Sequence, residues 1–188
     1  LGVEYLSRKV HVSSSSAGGP EAAAREARYA VLGSLMQEND WLISAHHEHD
    51  QAETLLLNLM RGSGFNGISG IAPVREFATG YLVRPMLGVP AAEIRAYADT
   101  HRLSWIDDPS NADTAFDRNY LRREILPALA ARWPAVASRL RQSADLAAES
   151  SELLAEFADL DIAASPAPDR LDIRVLTRLS RARQRNII

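Results

Sequence analysis

The chain has 188 residues, 46% hydrophobic and 24% charged, with a formal net charge of −3, as expected of a globular protein with one domain and part of a second. It contains no cysteine, which excludes disulfides, thiolate zinc sites and cysteine nucleophiles. No apolar run approaches the roughly 18 residues of a membrane span and no signal peptide opens the chain, so a cytoplasmic protein without membrane attachment is expected.

Lys9 is the only lysine. An arginine-based cationic surface suits phosphate and carboxylate recognition, and in an alanine-rich chain it equally reflects codon bias. The opening "LGVEYLSRKVHV" has no methionine, and "LTRLSRARQRNII" stops within a helical pattern. Both ends read as cut, and a fragment of a longer protein is expected.

In chain order, Leu6–Val12 alternates as a strand and "SSSSAGGP" is a loop. Pro20 opens a helix in "PEAAAREARYAVLGSLMQEN". Asp40–Ala45, "DWLISA", is short and apolar, as a buried strand is. A helix spans Asp50–Arg61 and stops at Gly62, where a left-handed residue is wanted. "RGSGFNGISGIAPV" is a glycine-punctuated loop, and "GYLVRPML" a second buried strand ended by Pro85. "VPAAEIRAYADTHRL" is a helix, "LSWID" a short strand, "DDPSNADTAFDRN" a polar loop, and "NYLRREILPALAARWP" a helix interrupted at Pro127. Strand and helix alternate as far as Ile106, the pattern of βαβ units around a parallel sheet. After Trp133 comes one long alanine- and leucine-rich amphipathic helix, then "SPAPD" and a further helical start. A boundary near Pro134 divides the chain into residues 1–134 and 135–188.

The chemistry concentrates in "SAHHEHDQAETLLLNLMRGSG", Ser44 to Gly64. His46 and His47 fall just past the carboxyl end of a strand, where open α/β sheets bind ligands. His46, Asp50, Glu53 and Leu57 recur at i, i+4, i+7 and i+11, one helical stripe if the helix reaches back that far. A carboxylate at a helix N-terminus stays ionised and can hold Mg²⁺ or orient a base, and a histidine beside it can bond a phosphate. Against this, Asp at a helix start is commonly a cap, and His49 reads as solvated. Zinc is disfavoured, because the stretch lacks the His-Glu-x-x-His order.

Several segments together resemble the tRNA(Ile)-lysidine synthetase family: "AHHEHDQAETLLLNLMRGSGFNGISG", "RPMLGVPAAEIRAYA", "LSWIDDPSNADTAFDRNYLRREILPAL", "RWP" and the upstream "EAAAREARY". The resemblance implies an N-type ATP pyrophosphatase, an α/β doubly wound parallel sheet (adenine nucleotide alpha hydrolase-like), followed by the start of an α-helical domain that helps place tRNA. It implies a ligase that uses ATP and Mg²⁺ to adenylate the C2 oxygen of the wobble cytidine of tRNA(Ile) CAU. The ε-amine of L-lysine then displaces AMP to give lysidine. By motif, His46 and Asp50 match the family's nucleotide-site histidine and aspartate, Asp50 carrying the metal. Arg122 matches a catalytic arginine, and Arg25 or Arg28 an arginine of the ATP region. Glu53, Arg61 and Gly62 match positions lining the same cleft. Arg84, Asp108, Asn111, Arg118 and Asn119 fall in the remaining motifs as substrate-side residues, although Asp108–Asn111 also makes sense as a hydrogen-bonded turn.

Two departures from the family stand out. His49-Asp50 replaces a common Asp-Asp, and the phosphate-binding Ser-Gly-Gly-x-Asp-Ser is absent from these 188 residues. Without that backbone cradle for the ATP phosphates, the chain by itself is expected to be inactive. The alternatives are a related cytidine-thiolating pyrophosphatase, whose chemistry typically needs cysteines, and a non-catalytic tRNA-binding remnant. A homodimer is left open. Arginines of the second domain, among them Arg141 and Arg183, are candidate phosphate contacts, diluted by nearby acids.

Overall fold

The computed structural model describes residues 2–12, 19–164 and 172–188. They form two compact units, one of residues 1–45 and 72–85, the other of residues 46–71 and 86–188. The "SPAPD" turn and most of "SSSSAGGP" lie outside the described residues. No helix among the described residues is long and apolar enough to cross a membrane.

The first unit is a small α/β layer. Helix α1 (Gly19–Leu35) precedes strand β1 (Trp41–Ile43), and strands β2 (Val74–Phe77) and β3 (Gly80–Val83) form a hairpin. The strand order is β1-β3-β2, with β1 parallel to β3 and β2 antiparallel to it. The α/β class read from the sequence therefore holds, with an antiparallel edge that the sequence did not announce. Leu82 in the central strand is fully buried. Gly80 lies so close to the Asp40 backbone that a side chain there would collide with its carbonyl oxygen. Tyr29 of α1 meets Phe77 of β2 edge to face at 5.5 Å, within the range of favourable aromatic pairs.

Three strand expectations change. Residues 2–12 are exposed and form no strand, and "LSWID" is irregular backbone. An alternating pattern becomes a strand only where a ladder takes up its backbone groups, and among the described residues neither segment has one. β1 does form, but Trp41 is 69% exposed and Ile43 66%. Its only sheet neighbour among the described residues is β3, and neither Trp41 nor Ile43 is buried as the apolar run implied.

The second unit is built on helix α2 (Glu48–Met60), which packs against helix α7 (Val136–Ala163). Ala52 of α2, Leu126 of helix α6 (Leu126–Arg132) and Ala137 of α7 form the core, flanked by Leu56 and Leu140. Alanines at the crossing let the helix backbones approach. α2 ends as read from the sequence: Gly62 takes φ +69° and its N–H donates to the Leu59 carbonyl. The following loop is not wholly irregular, since helix α3 (Phe65–Ile68) turns inside it. Buried Gln51 clamps this loop, its amide nitrogen donating to the Ile71 carbonyl at 3.1 Å and its amide oxygen accepting the Ile71 N–H at 2.6 Å.

Helix α4 (Ala91–Thr100) and a 3₁₀ turn at Pro109–Ala112 lead into α5 (Asp117–Tyr120). Pro127 does not break the helix that follows. Leu121–Ile125 widens into a π-turn, with the Leu126 N–H bonded to the Leu121 carbonyl, and α6 then carries Pro127 in its first turn. Proline lacks an N–H and crowds the carbonyl four residues back. One wide turn placed just before it absorbs both problems. Helices α8 (Ile173–Arg178) and α9 (Arg181–Ile187) complete the unit. Arg183 of α9 pairs with Asp161 of α7, whose side chain is 5% exposed. Arg141 is paired likewise with Asp145 at 2.7 Å, so these two arginines already hold structural partners.

Because Gly62 sits in the left-handed region, Gly62→Ala should destabilise the protein by about 1 kcal/mol. Gly62→Asn should cost less. Urea unfolding midpoints check both, and an unchanged midpoint for Gly62→Ala would show that the α2 terminus does not need this conformation.

Candidate active site

The site is built at the N-terminus of α2. His47 is the N-cap, with extended φ −129° and ψ −178°, so His46 lies outside the helix and the stripe of Asp50, Glu53 and Leu57 does not reach back to it. The cap is reciprocal. The His49 N–H donates to His47 Nδ1 at 3.2 Å, and the His47 N–H donates to Asp50 Oδ2 at 2.9 Å. Capping explains why these residue types stand here: the first helical N–H groups need acceptors, and the helix dipole favours a carboxylate. His49 is not solvated as expected from sequence, because its Nδ1 is buried without a hydrogen-bond partner.

One turn further along, Glu53 is completely buried. Its carboxylate is met by two arginines from the α5–π-turn segment. Arg118 Nε donates to Oε2 at 3.1 Å, while Arg122 donates from Nε to Oε1 at 2.6 Å and from Nη2 to Oε2 at 3.0 Å. Arg118 Nη2 also reaches Thr54 Oγ1 at 2.8 Å, and Arg122 Nη2 reaches Asp50 Oδ1 at 3.3 Å. A buried carboxylate needs such charge-assisted bonds. The hydrogen bond to Glu53 is the main factor raising the Arg122 pKa; burial opposes it, and the charges of Glu53 and Asp50 add to the rise. The stabilisation that this guanidinium gains on folding is therefore present throughout the neutral range and is lost only above the ordinary arginine range.

Asp50, Glu53, Arg118 and Arg122 thus form one cluster of two carboxylates and two guanidinia, with Arg122 held by both acids and its side chain still 40% exposed. An arginine fixed along one edge and open to solvent elsewhere is pre-aimed at an anion such as a phosphate. No group of three or more His, Asp or Glu among the described residues is placed to hold a metal ion. A Mg²⁺ ion nevertheless fits one carboxylate when substrate phosphates and water complete its shell. Asp50 could provide that carboxylate, each of its oxygens keeping lone-pair capacity beyond the bond it accepts.

The other expected residues are dispersed. Arg61 and Gly62 lie at the far end of α2, about 17 Å along its axis from Asp50 at the usual helical rise, and the structure does not bring them to the cluster. Asp108 and Asn111 belong to the exposed turn, where the Asn111 N–H donates to the Asp108 carbonyl at 3.0 Å. Asn119 Nδ2 holds the Asp113 carbonyl at 2.9 Å. Arg25, Arg28 and Arg84 are in the first unit. Arg25 and Arg28 stand 5.6 and 5.7 Å from the Tyr29 ring centroid. Arg84 is buried, donates to the Ala72 carbonyl at 2.5 Å, and has its pKa lowered chiefly by burial. The role of His47 as cap and the joint claim of Arg118 and Arg122 on Glu53 went unread in the sequence. The i, i+4 spacing of the two arginines was the available signal.

A family model described as the PP-loop domain matches residues 1–129. Over its whole length the chain is 48% identical to the tRNA(Ile)-lysidine synthase of Alkalilimnicola ehrlichii, of which it covers 42%. It is 43% identical to that of Pseudomonas aeruginosa, covering 45%, and 39% identical to that of Coxiella burnetii, covering 42%. The resemblance read from the motifs is borne out, and the chain spans less than half the length of these relatives.

Glu53→Gln removes the charge that orders two guanidinia and should lower stability by about 2 kcal/mol, seen as a lower urea midpoint at unchanged slope. Combined with Arg122→Gln, the loss should fall short of the sum of the single losses. Strict additivity would mean that this ion pair carries no coupling.

Proposed function

The chain belongs to the PP-loop domain family, an ATP-using α/β fold, and on that premise we propose that it serves the conversion of the wobble cytidine of tRNA(Ile) CAU to lysidine. In this reading ATP adenylates the cytidine C2 oxygen and L-lysine displaces AMP, closing a carbon–nitrogen bond in a cytoplasmic enzyme. The observation that carries the proposal is the Asp50–Glu53–Arg118–Arg122 cluster, found in a chain similar over its full length to enzymes with this name.

The residues divide the work by chemistry. Negative charge grows on a phosphate in both steps, and Arg122, aligned by Glu53 and Asp50, offers an oriented guanidinium to it. Arg118 shares Glu53 Oε2 with Arg122 and so helps to fix the carboxylate that aligns Arg122. Mg²⁺, when bound, would neutralise phosphate charge, with Asp50 as its protein ligand. His46, just before the cap, is proposed to hydrogen-bond the nucleotide, and Arg25 or Arg28 to serve the ATP region. Arg84, Asp108, Asn111 and Asn119 remain substrate-side proposals. Residues 1–134 would handle the nucleotide, and residues 135–188 would begin the tRNA-side helical part. That division follows function rather than packing, since α7 shares a compact unit with α2.

In a protein that joins these residues to a Ser-Gly-Gly-x-Asp-Ser loop, labelled lysine should enter tRNA(Ile) CAU only when ATP is supplied. The 188-residue chain alone should transfer none. Arg122→Ala and Asp50→Asn should each reduce incorporation by roughly a hundredfold or more, the scale of losing one transition-state donor. The asparagine amide oxygen can still accept the His47 N–H, so capping alone predicts little loss for Asp50→Asn. Wild-type rates in both variants would sink the assignment.

A further inference from the structure

Beside the cap of α2, in the same compact unit, lies a cavity of about 460 Å³ between α4 and residues 103–107. This is the size range of sites that hold a single small organic group. Ile94, Ala98 and Leu103 give it an apolar floor. Its other walls carry polar or aromatic groups: His47, Arg95, Ser104, Trp105 and Asp107. The Arg95 guanidinium lies over the Trp105 ring, 4.8 Å from its centroid. The guanidinium covers one face of the indole, and Trp105 remains 48% exposed. An aromatic face, a cationic plane and a carboxylate acceptor around an apolar floor make up the recognition chemistry of an unpaired nucleobase. His47 ties this cavity to the candidate active site, because its Nε2 lies 3.6 Å from Asp50 Oδ2.

We propose that this cavity receives an unpaired, amino-bearing base of the RNA substrate, cytosine in the first instance, stacked on Trp105 with Asp107 accepting its exocyclic amino group. The inference rests on the tRNA reading above and extends it to residues outside the Asp50–Glu53–Arg118–Arg122 cluster. Asp107 is exposed and, as a carboxylate, only accepts hydrogen bonds, which suits the N4 amino group of cytosine and opposes the O4 of uracil. Adenine has an amino group too, so ATP is the competing source of the same chemistry.

The test measures binding of two anticodon stem-loop RNAs, with CAU or UAU loops, and separately of ATP, to the purified protein that joins these residues to a Ser-Gly-Gly-x-Asp-Ser loop. Trp105→Ala should weaken CAU stem-loop binding about tenfold, the usual loss on removing one stacking platform. Trp105→Phe should stay within about twofold of wild type on the same grounds, and ATP affinity should not move. Asp107→Asn should erase the preference for CAU over UAU, because an amide can donate to uracil as readily as it accepts from cytosine. Should Trp105→Ala fail to fold by circular dichroism, the exposed Asp107→Asn variant decides the matter alone. A tenfold loss of ATP affinity with RNA binding intact would make the cavity an adenine site and overturn the proposal. RNA binding and loop preference unchanged in every variant would overturn it while leaving the lysine-transfer reading in place. A loop-bearing wild-type protein that binds neither stem-loop would bring down both.

Discussion

Glu53 is a carboxylate with no exposure to water, placed in the middle of the helix on which its unit is built. Such a group stays ionised inside a protein only when donors surround it. That requirement fixes where the α5–π-turn segment must run, since both of its arginines have to reach one carboxylate 65 and 69 residues away in sequence. The apolar contact of Ala52 with Leu126 and Ala137 brings the segments together. The ion cluster then selects the rotation at which they meet, because a directional bond has less freedom than a hydrophobic contact.

The π-turn belongs to the same solution. Pro127 would leave a carbonyl unsatisfied in a regular helix, and the wide turn that relieves this lies on the residues that carry Arg122. The proline and the arginine that meets Glu53 thus share one local distortion. The cluster carries no net charge by formal count, with two acids and two arginines. It therefore presents no net positive field, only an oriented guanidinium at Arg122.

Asp50 makes two contacts with one carboxylate. Its Oδ2 caps the helix and its Oδ1 holds Arg122. A capping carboxylate is held in a fixed orientation, which is also what a metal ligand or an arginine anchor needs. Arg84 shows the opposite case. Buried against the Ala72 carbonyl, it is tied to the backbone of its own unit.

The sequence by itself determined the elements whose cause is local. Proline and helical periodicity placed α1, Gly62 ended α2 in a left-handed turn, and the acid- and histidine-rich stretch marked the N-terminus where the candidate site lies. It also carried the family, because the motif residues are legible in linear order. The tertiary structure alone decided which apolar runs became strands: "LSWID" and residues 2–12 found no ladder among the described residues, and β2 formed by pairing with β3. It likewise decided which charges meet, bringing Arg118 and Arg122 to Glu53 while leaving Arg61 at the other end of the helix. Strand pairing and ion pairing join residues far apart in sequence. Their energies depend on burial and direction, which a single linear sequence does not express.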